Sequence, residues 1–195
     1  EMCIRDRSPV VIGNTEPKRI CGTGYLSLLD ALLRTGFLDA TGRLASASVS
    51  PLAARLLGTV ERGAAGWSLP LPGGMELAGA DVEEILKVKA AFSLALESLL
   101  AESGLESRAL ARVCLGGALG EHMPETALER LGFLPQGLQA RTVAEGNTSL
   151  RGAALLLTRP ELRERLVRWS SGCTLVDLAA RPDFTALYMR HMVFG

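Results

Sequence analysis

No Cys-x-x-Cys pair occurs in this chain: its four cysteines, Cys3, Cys21, Cys114 and Cys173, are scattered across 195 residues. That spacing supplies neither a local iron–sulfur or zinc site nor a disulfide framework, and it points to a reducing, cytoplasmic setting. No apolar run approaches the ~18 residues of a membrane span; the richest, residues 90–101, is interrupted by Glu97. A charge excess is missing as well, with 21 Lys+Arg against 21 Asp+Glu. A surface that tracks nucleic-acid phosphates is thereby disfavoured. Aromatics are only 5% of the residues, which leaves Leu, Ala and Val to build the core. No His-Glu-x-x-His motif and no locally supported Ser/His/Asp set is present.

What remains is the composition of an ordinary globular protein, 48% hydrophobic and 22% charged. The length suits one domain or a tight pair of subdomains, and burial of roughly 70% of the unfolded surface is expected at this size. Periodicity predicts helices over residues 22–33 (Tyr25, Leu26, Leu29 and Leu33 on one side, Gly36 as the stop), 51–57, 81–102, 124–131, 148–157, 160–169 and 182–192. In the longest of these, Asp81 is the expected N-cap, and Ile85, Val88, Ala91, Phe92, Ala95, Leu96, Leu99 and Leu100 form the expected apolar stripe. Short strands are expected at 10–13, 113–115 (buried), 139–143 and 174–178, with a hairpin at 67–77 around Pro72-Gly73-Gly74 and a turn at 39–42. Strands alternating with helices argue for an α/β layer architecture. The best subdomain seam lies near residues 69–79.

Three glycine clusters stand out. Residues 112–120, Arg-Val-Cys-Leu-Gly-Gly-Ala-Leu-Gly, run from an apolar strand into Gly116, Gly117 and Gly120, and a helical pattern begins at Pro124. Strand, glycine turn and helix bring bare backbone close to a flat or charged ligand, so the loop points to a nucleotide site. Taken alone, it is better explained as a packing turn. Gly146-Asn147-Thr148-Ser149-Leu150-Arg151-Gly152-Ala153 sits where a strand gives way to a helix. Asn147 can cap that helix, and Gly152 and Ala153 permit a close helix contact, which is sufficient explanation for the motif by itself. Ile20-Cys21-Gly22-Thr23-Gly24 opens a helix with two glycines, but Ser27 stands where a dinucleotide fingerprint needs its third glycine, and no Gly-Lys-Ser/Thr follows. His122 and His191 are isolated; Glu83 and Glu84 suit a charged helix face. Lys87 and Lys89 are near enough in sequence to the glycine strand to reach a ligand, though solvated lysines are the simpler expectation.

Residues 1–9 stand apart. Glu1-Met2-Cys3-Ile4-Arg5-Asp6-Arg7-Ser8 resembles translated sequencing-adapter read-through at the end of a metagenomic gene model. On that reading residues 1–9 are a non-native artefact belonging to no fold, and the natural protein continues upstream.

In order, seven segments resemble one family, the C-terminal half of the ASKHA ATPase domain (acetate and sugar kinase, heat-shock chaperone and actin type) of reductive activators of corrinoid proteins. They are Ile20-Cys21-Gly22-Thr23-Gly24-Tyr25-Leu26-Ser27-Leu28-Leu29; Gly36-Phe37-Leu38-Asp39; Asp81-Val82 through Lys89-Ala90-Ala91; Leu115-Gly116-Gly117-Ala118-Leu119-Gly120; Leu131-Gly132-Phe133-Leu134-Pro135; Gly146-Asn147-Thr148-Ser149-Leu150-Arg151-Gly152-Ala153; and Pro182-Asp183-Phe184. The likeness spans about residues 10–194.

The resemblance implies a partial actin-like (ribonuclease H-like) α/β fold over residues 10–195, with ATP and Mg2+ in the cleft of the parent protein. It implies a [2Fe–2S] ferredoxin domain in the N-terminal part of that parent, and a corrinoid protein of a methyltransferase system as partner, whose Co(II) form is returned to Co(I). Gly116, Gly117, Ala118 and Gly120 match the family's adenosine motif, and Gly146 and Asn147 lie near it in the family pattern. Two departures are visible: no aspartate begins the Asp-x-Gly-Thr hairpins that hold phosphate and magnesium in this fold class, and Gly117-Ala118-Leu119-Gly120 replaces the usual Gly-Gly-Phe-Gly or Gly-Ala-Phe-Gly. The fragment alone is therefore expected to hydrolyse no ATP. Two alternatives stay open: another ASKHA-type activator, such as that of a benzoyl-CoA reductase or dehydratase, whose [4Fe–4S] cysteines have no counterpart here, or a non-catalytic docking module that binds a corrinoid protein or forms a homodimer. Neither nucleic acid nor membrane is an expected partner.

Overall fold

The computed structural model describes residues 2–5, 8–11, 19–46, 50–117, 122 and 125–195. The chain begins with an antiparallel pair, β1 (Met2–Arg5) and β2 (Ser8–Val11), in which Met2 lies opposite Val11. The strand expected at 10–13 is thus met at residues 10 and 11, and 12–13 lie outside the described residues.

The first helix, α1 (Gly22–Thr35), buries Leu26, Leu29 and Leu32. Cys21 caps it, its Sγ accepting from the Gly24 amide at 3.3 Å. Gly36, at φ 73°, ends it in the left-handed conformation that glycine adopts without a Cβ penalty. In the turn that follows, Asp39 Oδ1 accepts from the amides of Thr41 and Arg43. Ser50 then joins two helices: its hydroxyl donates to the Thr35 carbonyl and accepts from the Ala53 amide at the start of α2 (Pro51–Leu57).

Strands β3 (Glu61–Gly63), β4 (Gly66–Leu71) and β5 (Met75–Ala78) form an antiparallel meander whose second turn is the expected Pro72-Gly73-Gly74. Leu69 and Leu77 stand opposite each other and face the core, while Trp67 meets Phe37 edge-on at 6.0 Å. A Cβ on Gly79 would fall 2.7 Å from Trp67 Nε1, so only glycine lets the next helix start against that ring.

That helix is α3 (Gly79–Glu102). Its N-cap is Ala78 rather than the expected Asp81. Asp81 instead occupies the third helical position and accepts from the Ala78 amide at 2.9 Å, the returning half of a capping box. The buried stripe is Val82, Leu86, Lys89, Ala90, Ser93, Leu94 and Ser98. Ile85, Ala95, Leu96 and Leu100 are half-buried as expected, but Val88, Ala91, Phe92 and Leu99 face outward. The helix is apolar almost all round, so polarity could not fix which side turns inward.

Beyond α3 come β6 (Val113–Gly116), α4 (Glu125–Arg130), β7 (Thr142–Gly146), α5 (Thr148–Thr158), α6 (Leu162–Ser171) and α7 (Phe184–Arg190). Strands β6 and β7 are parallel neighbours. Three expectations are corrected here. β6 is half-exposed instead of buried, because only Val113 and Leu115 turn toward the core while Cys114 and Gly116 face out. Residues 139–141 are a 3-10 turn, and the strand starts at Thr142. Residues 174–178 form no strand, since no ladder partner stands beside them among the described residues.

One core unites these elements: Leu26, Leu29 and Phe37 from the first helix and its exit, Leu69 and Leu77 from the meander, Val82 and Leu86 from α3, Leu131 and Leu134 near α4, and Phe194 from the end of the chain.

Candidate functional site

The two parallel strands bring the second and third of the conspicuous sequence features to one place. In the β6–β7 register Leu115 faces Ala144 and Gly116 faces Gly146, which leaves Glu145 as an inserted bulge residue. The Gly117 amide donates to the Gly146 carbonyl at 2.7 Å. Both strand ends turn on left-handed glycines, Gly117 at φ 93° and Gly146 at φ 64°. Asn147 follows as the N-cap of α5, its Oδ1 accepting from the Leu150 amide at 2.9 Å. Gly116, Gly117, Gly146 and Asn147 are therefore one cluster at the carboxyl ends of parallel strands, the position where open α/β sheets receive ligands. Ala118 and Gly120 lie outside the described residues.

The glycines of this cluster do different work. A Cβ at Gly116 would lie 2.5 Å from Thr148 Oγ1, so this glycine admits the first side chain of α5. At Gly117 nothing lies within 4 Å of the Cβ position, so its backbone borders open space. That bare, left-handed backbone fits a flat nucleoside ring or ribose better than it fits a packing turn. Gly152 has no close neighbour either, which corrects the expected tight helix contact there.

Sequence reasoning missed Glu145 and Thr148. Glu145 pairs with Arg112, just before β6, at 2.5 Å and with Arg151 on α5 at 3.4 Å. It thus ties strand and helix together at the bulge. A glutamate beside a glycine inside a strand was the available sign of that bulge.

Other candidate residues are elsewhere. Lys87 pairs with Glu84 on the helix surface. Lys89 is neither solvated nor near the glycine cluster: it is 4% exposed, and its ammonium donates to the carbonyls of Val193 at 2.7 Å and His191 at 3.2 Å. His191 Nε2 meets Glu97 at 2.8 Å, in an ion-pair group with Arg190. Burial alone would raise the Glu97 carboxyl, but hydrogen bonds from Arg190 and His191 hold it below its ordinary value. His122 is exposed. Among the described residues no three of His, Cys, Asp and Glu converge on a common point, and no helix is long and apolar enough to cross a membrane.

A groove of about 660 Å3 runs between the second half of α3 and the turn after α4, floored by Leu96, Leu100, Leu105 and Leu134. It does not reach Gly117 or Gly146. The space in front of Gly117 is therefore an open edge, one wall of a cleft rather than an enclosed pocket.

Comparison with known proteins agrees with that geometry. The model of the C-terminal domain of RACo, the ASKHA domain, matches residues 5–195. The corrinoid activation enzyme RamQ of Eubacterium limosum is 25% identical over 196 residues, covering 95% of this chain and 32% of that protein. The solved reductive activator for corrinoid,iron-sulfur protein superposes with a TM-score of 0.82 at 22% identity, covering 96% of this chain and 30% of that one. The chain thus spans about a third of the length of these relatives, and it shares their mixed α/β architecture. Since the family match runs across the strand-end cluster and almost everything around it, this chain belongs to the family of RACo C-terminal ASKHA domains.

Proposed function

We propose that the chain forms the adenosine-side wall of the nucleotide cleft in an ATP-dependent reductive activator, which returns a corrinoid protein of a methyltransferase system from Co(II) to Co(I). The observation that carries this reading is the pair of parallel strands ending in left-handed glycines, with Gly117 bordering open space. Gly116, Gly117, Ala118 and Gly120 would line one side of the nucleoside, and Gly146 and Asn147 the other. Gly117 gives the ring bare backbone to lie against. Asn147 holds the first turn of α5 in place beside it. Thr148, seated on Gly116, sets how closely α5 approaches the strands.

The residues present do not fit a magnesium ion or an iron–sulfur cluster, because no suitable ligand group converges among those described. Phosphate and Mg2+ handling, and a [2Fe–2S] electron donor, belong on this reading to polypeptide outside the matched third. The setting is cytoplasmic, and the partner is the corrinoid protein whose cobalt is the substrate.

Calorimetric titration with ATP tests the reading, on the chain alone and on the full-length polypeptide that carries it. The expected result is nucleotide binding that Gly117→Val abolishes in both, with magnesium-dependent hydrolysis in the full-length protein only. Absence of ATP binding in the full-length protein overturns the assignment. Turnover by the 195-residue chain alone overturns the division of labour.

A further inference from the structure

The part of the chain beyond β7 is built unlike the rest. Neither α5 nor α6 buries a single residue. Yet α5 reads Thr-Ser-Leu-Arg-Gly-Ala-Ala-Leu-Leu-Leu-Thr, a helix apolar on nearly every side, and such helices belong in interiors. Leu157 and, on α6, Trp169 are each 75% exposed, with Leu150, Leu155, Leu166 and Val167 also uncovered. The adjoining sheet poses the same problem. β6 and β7 are a two-stranded parallel pair with Cys114 and Val143 on an open face, whereas parallel strands are ordinarily covered on both faces. These bare surfaces are contiguous in the chain, since β7 runs directly into α5.

Resting on the reading above, we propose that the outer face of β6–β7 and the α5–α6 hairpin together form the docking seat for the remaining polypeptide of a full-length activator, an α/β segment with an apolar face and a carboxylate rim. Length argues for that occupant. The relatives carry about twice as much polypeptide outside the matched third as within it. A tethered segment meets the seat at an effective concentration on the order of mM, which a separate protein does not match. Charge argues for the rim. Residues 148–172 carry Arg151, Arg159, Arg163, Arg165 and Arg168 against Glu161 and Glu164, and the last four of those arginines make no ion pair among the described residues.

Hydrogen exchange across residues 148–171 tests the proposal. Exchange is expected to be fast in the 195-residue chain and at least tenfold slower in the full-length polypeptide. Leu157→Glu should leave the unfolding midpoint of the short chain unchanged, because nothing packs on Leu157 there, and should return the full-length protein to fast exchange. Equal exchange in the two proteins overturns the proposal. So does a short chain that sediments as a dimer with residues 148–171 already protected, since a second copy would then be the occupant. Protection without ATP binding would leave this seat standing while the nucleotide reading falls; ATP binding without protection would do the reverse.

Discussion

Arg130 grips Asp30 with two parallel hydrogen bonds, Nε to Oδ1 at 2.6 Å and Nη2 to Oδ2 at 2.9 Å, across 100 residues of sequence. The pair joins α1 to α4, and Arg34 approaches the same carboxylate at 3.2 Å. Asp30 is buried and Arg130 half-exposed, so the two ends are not equivalent. Arg130→Ala strands a buried carboxylate, at a cost of about 2 kcal/mol. Asp30→Asn leaves an arginine that can turn to water and is expected to cost less. Urea denaturation of both variants measures the difference; equal or reversed costs would show that the pair is only a surface contact.

Lys89 gives a pH signature. Burial pushes its ammonium below the ordinary 10.5, so the unfolded chain holds that proton more tightly than the folded one. Stability contributed by this group therefore rises with pH through the window between the lowered value and 10.5, and is flat below it. The neutral amine still donates to the carbonyl of Val193. In an alkaline series of denaturation midpoints, the parent chain should gain stability relative to Lys89→Met as pH rises; parallel curves would contradict the assignment.

The contact of Gly116 with Thr148 predicts a coupled pair of substitutions. Gly116→Ala forces a methyl against the Thr148 hydroxyl and should cost about 1–3 kcal/mol. Thr148→Ala removes the obstacle, and the double variant should lie within about 1 kcal/mol of Thr148→Ala alone. Additive costs in a double-mutant cycle would show that the strand end and α5 do not meet as described.

Phe194 is a core residue two positions from the end of the sequence. It is 3% exposed, and its amide donates to the Ala40 carbonyl at 2.7 Å. Phe194→Ala should cost about 3–5 kcal/mol, as large as a loss in the middle of α1. Thermal melting checks this, and a shift of a degree or two would refute it.

The glycine punctuation made much of the fold legible. Gly36 and Gly58 ended helices where expected, and Pro72-Gly73-Gly74 turned the hairpin. The inward side of α3 was not legible, because a helix apolar all round carries no phase, and its buried lysine is satisfied only by backbone 102 and 104 residues away. Residues 174–178 have a strand's composition, but a strand exists only where a ladder partner does. At the candidate site the glycines and Asn147 were visible in the sequence. Glu145 was not, since its role arises from a one-residue offset between two strands that local pattern does not encode.

The tail that Lys89 and Ala40 hold down has a practical consequence. A protease should cut first somewhere in the exposed arm of residues 148–183, where no side chain is buried. The released end would stay put, because Phe194 is embedded, Tyr188 donates to the Lys87 carbonyl and Arg190 clasps Glu97. A nicked molecule would elute from a sizing column as a single particle and separate into two bands only in detergent.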